Sequence, residues 1–191
     1  MRKPIYISPT VQYNIDMVRR IRHELGLSQR AVSRYLNPDT ESNIVGNVES
    51  VKTSVGYSDH NLNILANAFS VYAKHLIDEM EVSVRTVSNI KTEYTIYDFY
   101  PNRPLDDIPQ IKTKIDLPEG LSLTGVINAI LETKQFLDVP HTVSEITDYC
   151  NSLSDGNWKS SNLTSTLDYA VKKGKLKKIE RADRPIVYQK A

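Results

Sequence analysis

The sequence predicts a mainly α-helical fold with a minor β part, built as two helical units with a short connector between them. Three observations predict it. Apolar residues recur three and four apart from Ile15 to Val71 and again from Leu123 to Val171, the period of helices with one buried side. Residues 81–120 gather Pro101, Pro104, Pro109 and Pro118 with two alternating runs of β-formers. The chain ends in two short strand-like runs after Gly174. These shifts set the boundaries at 1–80, 81–120 and 121–191.

The first ten residues hold two prolines and read as a disordered terminus; an edge strand, or an arm reaching a minor groove through Arg2 and Lys3, are the alternatives. A helix then runs from about Val11 or Asn14 to Leu25, with Ile15, Val18, Ile21 and Leu25 on one face, Arg19, Arg20 and Arg22 outside it, and Gly26 as a left-handed cap. Ser28 caps the next helix, which buries Val32 and Leu36 and stops at Asn37-Pro38. Another short helix starts near Thr40 or Ser42 and is anchored by Val45 and Val48. Ser58 or Asp59 caps a helix to Phe69, and a fifth covers Tyr72 to Met80.

Three stretches carry a resemblance: Leu27-Ser28-Gln29 opening one helix, Val45-Gly46-Asn47-Val48-Glu49 in the next, and Leu62-Asn63-Ile64-Leu65-Ala66-Asn67-Ala68-Phe69. Residues 11–80 thereby resemble the lambda-repressor/Cro-like (XRE) helix-turn-helix family. The turn from Asn37 to Ser42 and the connection from Val51 to Tyr57 are longer than the family pattern. The resemblance implies a five-helix domain whose third helix enters a DNA major groove. Ser28, Gln29, Arg30 and Arg34 are then expected at phosphates, with Ser42, Asn43, Gly46 and Asn47 at base edges and Ser50 and Lys52 beside them.

In the connector, 81–87 and 94–99 read as short strands, possibly paired as a hairpin. Tyr94, Tyr97, Phe99 and Tyr100 are read as packing residues, with base stacking the other option. Beyond Leu121, a helix runs to about Leu137. Thr142 and Glu145 form a capping box for the next, and Ser160 or Ser161 caps a third that ends at Gly174. Lys175–Arg181 and Pro185–Tyr188 follow as strands. Residues 142–189 resemble the broad winged-helix family. That resemblance implies DNA contact through Lys159, Ser160, Ser161, Asn162, Ser165 and Thr166 on the third helix and Lys177, Lys178, Arg181 and Arg184 on the wing; a dimerisation or protein-binding role is the alternative.

Net charge is only +1, but residues 171–191 hold eight Lys or Arg against Glu180 and Asp183. The single cysteine, Cys150, excludes an intrachain disulfide and is read as a buried thiol in a reducing compartment. There is no secretory leader and no apolar stretch of membrane-spanning length, so a cytoplasmic protein is expected. Neither a Gly-rich phosphate loop, HExxH, GxSxG nor paired Cys-x-x-Cys is present, so no enzyme activity and no cofactor are expected. The reading is a sequence-specific regulator, a repressor binding palindromic double-stranded DNA as a homodimer. The alternatives are an adaptor binding protein through the same folds (antitoxin-like or a phage anti-defence factor) or a subunit of a DNA-processing system.

Overall fold

A computed structural model describes residues 3–39, 41–180, 182 and 185–191. The chain is mainly helical, 52% helix and 8% strand, with two small sheets among the described residues. Helix α1 spans Pro9–Glu24: Ser8 caps it by accepting from the Val11 N–H, and Pro9 sits where a missing N–H costs nothing. Its end is closed by Gly26 at φ 66°, with Gly26 N–H donating to His23 O and Leu27 N–H to Arg22 O. Helix α2 (Gln29–Leu36) follows, then α3 (Ile44–Val48) and α4 (Asp59–Glu79).

The expected break at Ser70-Val71 does not occur; α4 is one helix of 21 residues. No glycine or proline interrupts it, the Ser70 hydroxyl donates to Ala66 O within the helix, and the buried stripe runs on through Phe69, Ala73 and Leu76. Among the described residues of 1–80 there are therefore four helices, not five.

The N-terminal segment is an edge strand rather than a disordered end: β1 (Tyr6–Ile7) pairs antiparallel with β2 (Gln110–Ile111), and Lys112 N–H donates to Ile5 O at 2.8 Å. Arg2 lies outside the described residues. The hairpin expected within 81–99 is absent. Val82–Arg85 form a helical turn, α5, where Val84 is buried and Val82 exposed. Ile96–Phe99 form a 3₁₀ turn whose start is fixed by Thr95 and Asp98 bonding each other's backbone N–H. Thr-x-x-Asp is a capping signature, and it outweighs the alternation in Tyr94–Phe99.

Beyond Leu121 come α6 (Leu123–Thr133), a 3₁₀ turn at Phe136–Asp138, β3 (His141–Thr142), α7 (Val143–Leu153), α8 (Ser160–Lys172), β4 (Leu176–Ile179) and β5 (Val187–Lys190). The sheet order is β3-β5-β4, antiparallel throughout. Thr142 and Glu145 make the expected capping box, whereas α8 is preceded by Lys159 rather than a serine cap. Cys150 is fully buried, and burial pushes its thiol up to about 12.

Buried apolar residues form two clusters. One joins α1–α4 with Val84, Tyr94 and Phe99; the other joins α6–α8 with Leu176 and Tyr188. Residues 94–99 thus belong to the first cluster, with Tyr94 and Phe99 edge-on to Phe69, each at 6.2 Å between centroids. A polar seam sews the clusters together. Glu24 accepts from Ser122 N–H at 2.6 Å and from its hydroxyl, and Asn128 Nδ2 donates to His23 O at 2.9 Å.

Candidate nucleic-acid interface

Ser28 caps α2 by accepting from Ala31 N–H at 3.1 Å. Val32 is fully buried, and Ser33, four residues on from Gln29, turns inward and accepts from Val45 N–H at 3.0 Å. That bond ties the start of α3 to α2. Val45 and Val48 are buried, so the opposite side of α3 is left outward.

Beneath α3 lies a buried ion cluster. Glu49, at the C-terminal end of α3, is 1% exposed and meets Arg19 Nε at 3.0 Å, Arg22 Nε at 3.1 Å, Arg22 Nη2 at 3.0 Å and Gln29 Nε2 at 2.7 Å. Arg19 also donates to the Glu49 carbonyl at 3.1 Å. Arg22 reaches on to Glu132 of α6, with one bond at 2.9 Å and a second, shorter one. Burial works to raise the Glu49 pKa, but Arg22 and Arg19 outweigh it and hold the carboxylate below its usual range. Arg19 and Arg22 were expected outside the buried face of α1. They lie three apart beside the Ile15–Val18 stripe, and only a buried partner lets such charges sit inside.

This cluster changes several expected roles. Gln29 is half-buried and spent on Glu49 instead of phosphate. Asn43 is exposed, but its Oδ1 caps α3 by accepting from Gly46 N–H at 2.9 Å and from the Ser33 hydroxyl at 3.2 Å. Gly46 is half-buried, and a Cβ there would lie 2.2 Å from Asn43 Nδ2. Its small size admits the cap rather than a base. α3 itself begins at Ile44, later than expected, because Asn43 supplies the cap; Thr40 lies outside the described residues.

The remaining residues face solvent. Ser42, Asn47 and Lys52 are exposed and Ser50 is half-buried, its hydroxyl accepting from Lys52 N–H at 3.1 Å. Arg34 is exposed, as is Arg30, which pairs with Glu41 at 3.3 Å. Arg30, Arg34, Pro38, Asp39, Glu41 and Ser42 line one hollow. Two arginines and two carboxylates cancel there. Neither acid carries an expected charge role in the sequence; the long turn that holds them was the available signal.

In the second unit, Lys159, Ser161, Asn162 and Lys177 are exposed. Ser160 is exposed as well, its hydroxyl 3.2 Å from that of Thr147, and Ser165 is half-buried. Thr166 is only 2% exposed and faces inward, contrary to expectation, because it falls one residue before Leu167 on the packed side of α8. Lys178 is engaged by Asp168 at 3.5 Å and Glu180 at 3.2 Å. Arg181 and Arg184 lie outside the described residues. Ser28 shares a cleft with Lys175, Lys190 and Ala191, which brings the end of β5 beside the start of α2. Among the described residues no group of three or more His, Cys, Asp or Glu could hold a metal ion, and no helix is long and apolar enough to cross a membrane.

His23 closes the picture. It is 1% exposed, and burial, with Arg22 next, lowers its pKa to about 3. The unfolded imidazole titrates near 6.5, so this contribution to stability is complete above about pH 6.5 and lost as pH falls towards 3. Urea midpoints are expected to drop between about pH 7 and pH 5, and His23→Gln to flatten that slope. Glu24, whose pKa burial raises, works in the opposite direction, so the comparison with the variant isolates His23. An unchanged slope in His23→Gln would assign the acid sensitivity elsewhere.

No family model, no curated protein and no solved structure matches this chain.

Proposed function

We propose that this protein is a sequence-specific DNA-binding regulator of the helix-turn-helix type, acting as a repressor that binds a palindromic site as a dimer. The observation that carries the reading is the setting of α3. Val45 and Val48 hold one side, Glu49 fastens its end to α1, and Asn47, Lys52 and Arg34 stand exposed. The polar side of such a helix is suited to a major groove, where asparagine pairs with adenine N6/N7. The order α6-β3-α7-α8-β4-β5, with β5 between the other strands, supports the winged-helix reading and a second contact through Lys159, Asn162 and Lys177.

Selection of bound duplexes from a random pool tests this. A discrete palindromic site is expected. Asn47→Ala should relax preference at one base per half-site by about 1–3 kcal/mol. Asn43→Ala is the wrong test, since it removes a helix cap. Lys52→Ala should weaken all sites alike and lower the salt slope by about one unit. The Arg30–Glu41 pair and Asp39 favour a second reading, a protein-binding adaptor. It takes over if duplexes bind without sequence preference at roughly 10⁻⁴ to 10⁻⁶ M.

A further inference from the structure

Arg30 and Arg34 stand exposed on α2, four residues apart, the spacing at which helical side chains meet. Two guanidinium groups so placed repel each other, and they share their hollow with Asp39 and Glu41 of the following turn. That turn is held at both ends. Asn37 N–H donates to Ser33 O at 3.0 Å, and Asn43 Oδ1 accepts from Gly46 N–H at 2.9 Å. Between these anchors the chain returns to the first turn of α2, where Glu41 Oε2 lies 3.3 Å from Arg30 Nη2.

This pair opens at little cost. Its side chains are 59% and 91% exposed, so water and salt screen the attraction, unlike that of the buried Arg19–Glu49–Arg22 cluster. Beside a duplex Arg30 meets a better partner. A phosphate takes two parallel N–H bonds from a guanidinium, and each phosphate neutralised releases condensed counterions. The carboxylate cannot share that place, because it would then lie against an anion of its own sign.

We propose that Glu41 is an internal competitor for Arg30: in the free protein its carboxylate holds the guanidinium that a DNA phosphate takes in the complex, and binding must displace it. This rests on the reading of α2 and α3 as a duplex-binding face. The turn is then a brake on affinity for every duplex, selected or not, and Glu41 is the residue that sets it.

Anisotropy titrations of labelled duplexes with the full chain test it, using a selected site and a random-sequence duplex. Glu41→Gln keeps the side-chain volume and removes the charge. It should tighten both duplexes by about three- to five-fold at about 50 mM salt, and by less at about 200 mM, where exposed charges are screened. Arg30→Ala should weaken the starting protein. On the Arg30→Ala background the gain from Glu41→Gln should shrink by more than half, because the cation competed for is gone. Thermal midpoints of both single variants should stay near that of the starting protein, since both side chains are exposed. A gain that keeps more than half its size without Arg30 overturns the proposal, for Glu41 would then be a repulsive charge and no competitor. A starting protein that binds duplex while Glu41→Gln merely matches it sinks the proposal alone. If neither holds any duplex, the proposal and the DNA-binding reading fall together.

Discussion

Glu49→Ala is expected to destabilise the protein by about 3–5 kcal/mol, because it removes the buried carboxylate that two buried guanidinium groups share and leaves Arg19 with no carboxylate partner among the described residues. Arg19 and Arg22 are 1% and 0% exposed, and each places its Nε–H on this one carboxylate. Water cannot replace a partner that is lost there. Native stability is typically about 5–15 kcal/mol, so the variant would keep only a fraction of it. Glu132→Ala should cost far less, on the order of 1 kcal/mol: its side chain is 30% exposed and Arg22 keeps Glu49. Urea melts of the two variants check the ordering. Equal losses, or a loss under 1 kcal/mol for Glu49→Ala, would mean that solvent reaches the cluster. Restoring stability by Arg19→Met and Arg22→Met on the Glu49→Ala background would show that the uncompensated charge, and not lost packing, is the cause.

Phe99→Ala should cost about 3–5 kcal/mol as well. Phe99 is fully buried and stands edge-on to Phe69 of α4. Were residues 94–100 a spacer lying on the surface, the same change would fall within about 0.5 kcal/mol. Tyr97→Ala is the internal control, since Tyr97 is 81% exposed and should tolerate truncation. A single cooperative melt, with both variants monitored by far-ultraviolet circular dichroism and by intrinsic fluorescence, distinguishes loss of core from local fraying.

Much of the helical frame was legible. Apolar spacing located α1, α2, α6, α7 and α8, and capping chemistry located the starts at Ser28, Ser58 and Thr142. The alternating runs at 81–87 and 94–99 misled because a strand needs a partner, and neither stretch finds one. The strand pair of the connector among the described residues joins positions about a hundred apart, Tyr6 to Ile111 and Ile7 to Gln110, which no local pattern encodes. Around α3 the burial of Val45 and Val48 was readable, but the fate of the polar residues was not. Asn43 has the same composition whether it caps a helix or meets a base, and only the position of Gly46 N–H decides. Arg19 and Arg22 look like surface charges until Glu49, some thirty residues on, is placed between them.

The first eighty residues are no detachable cassette. The guanidinium of Arg22 leans on Glu132, the carboxylate of Glu24 on Ser122, and the ring of Phe69 on Tyr94 and Phe99, all supplied from later in the chain. A graft of that stretch onto a foreign partner would import a wound along α1 and α4, and any lineage trading this head for another would have to trade its back as well.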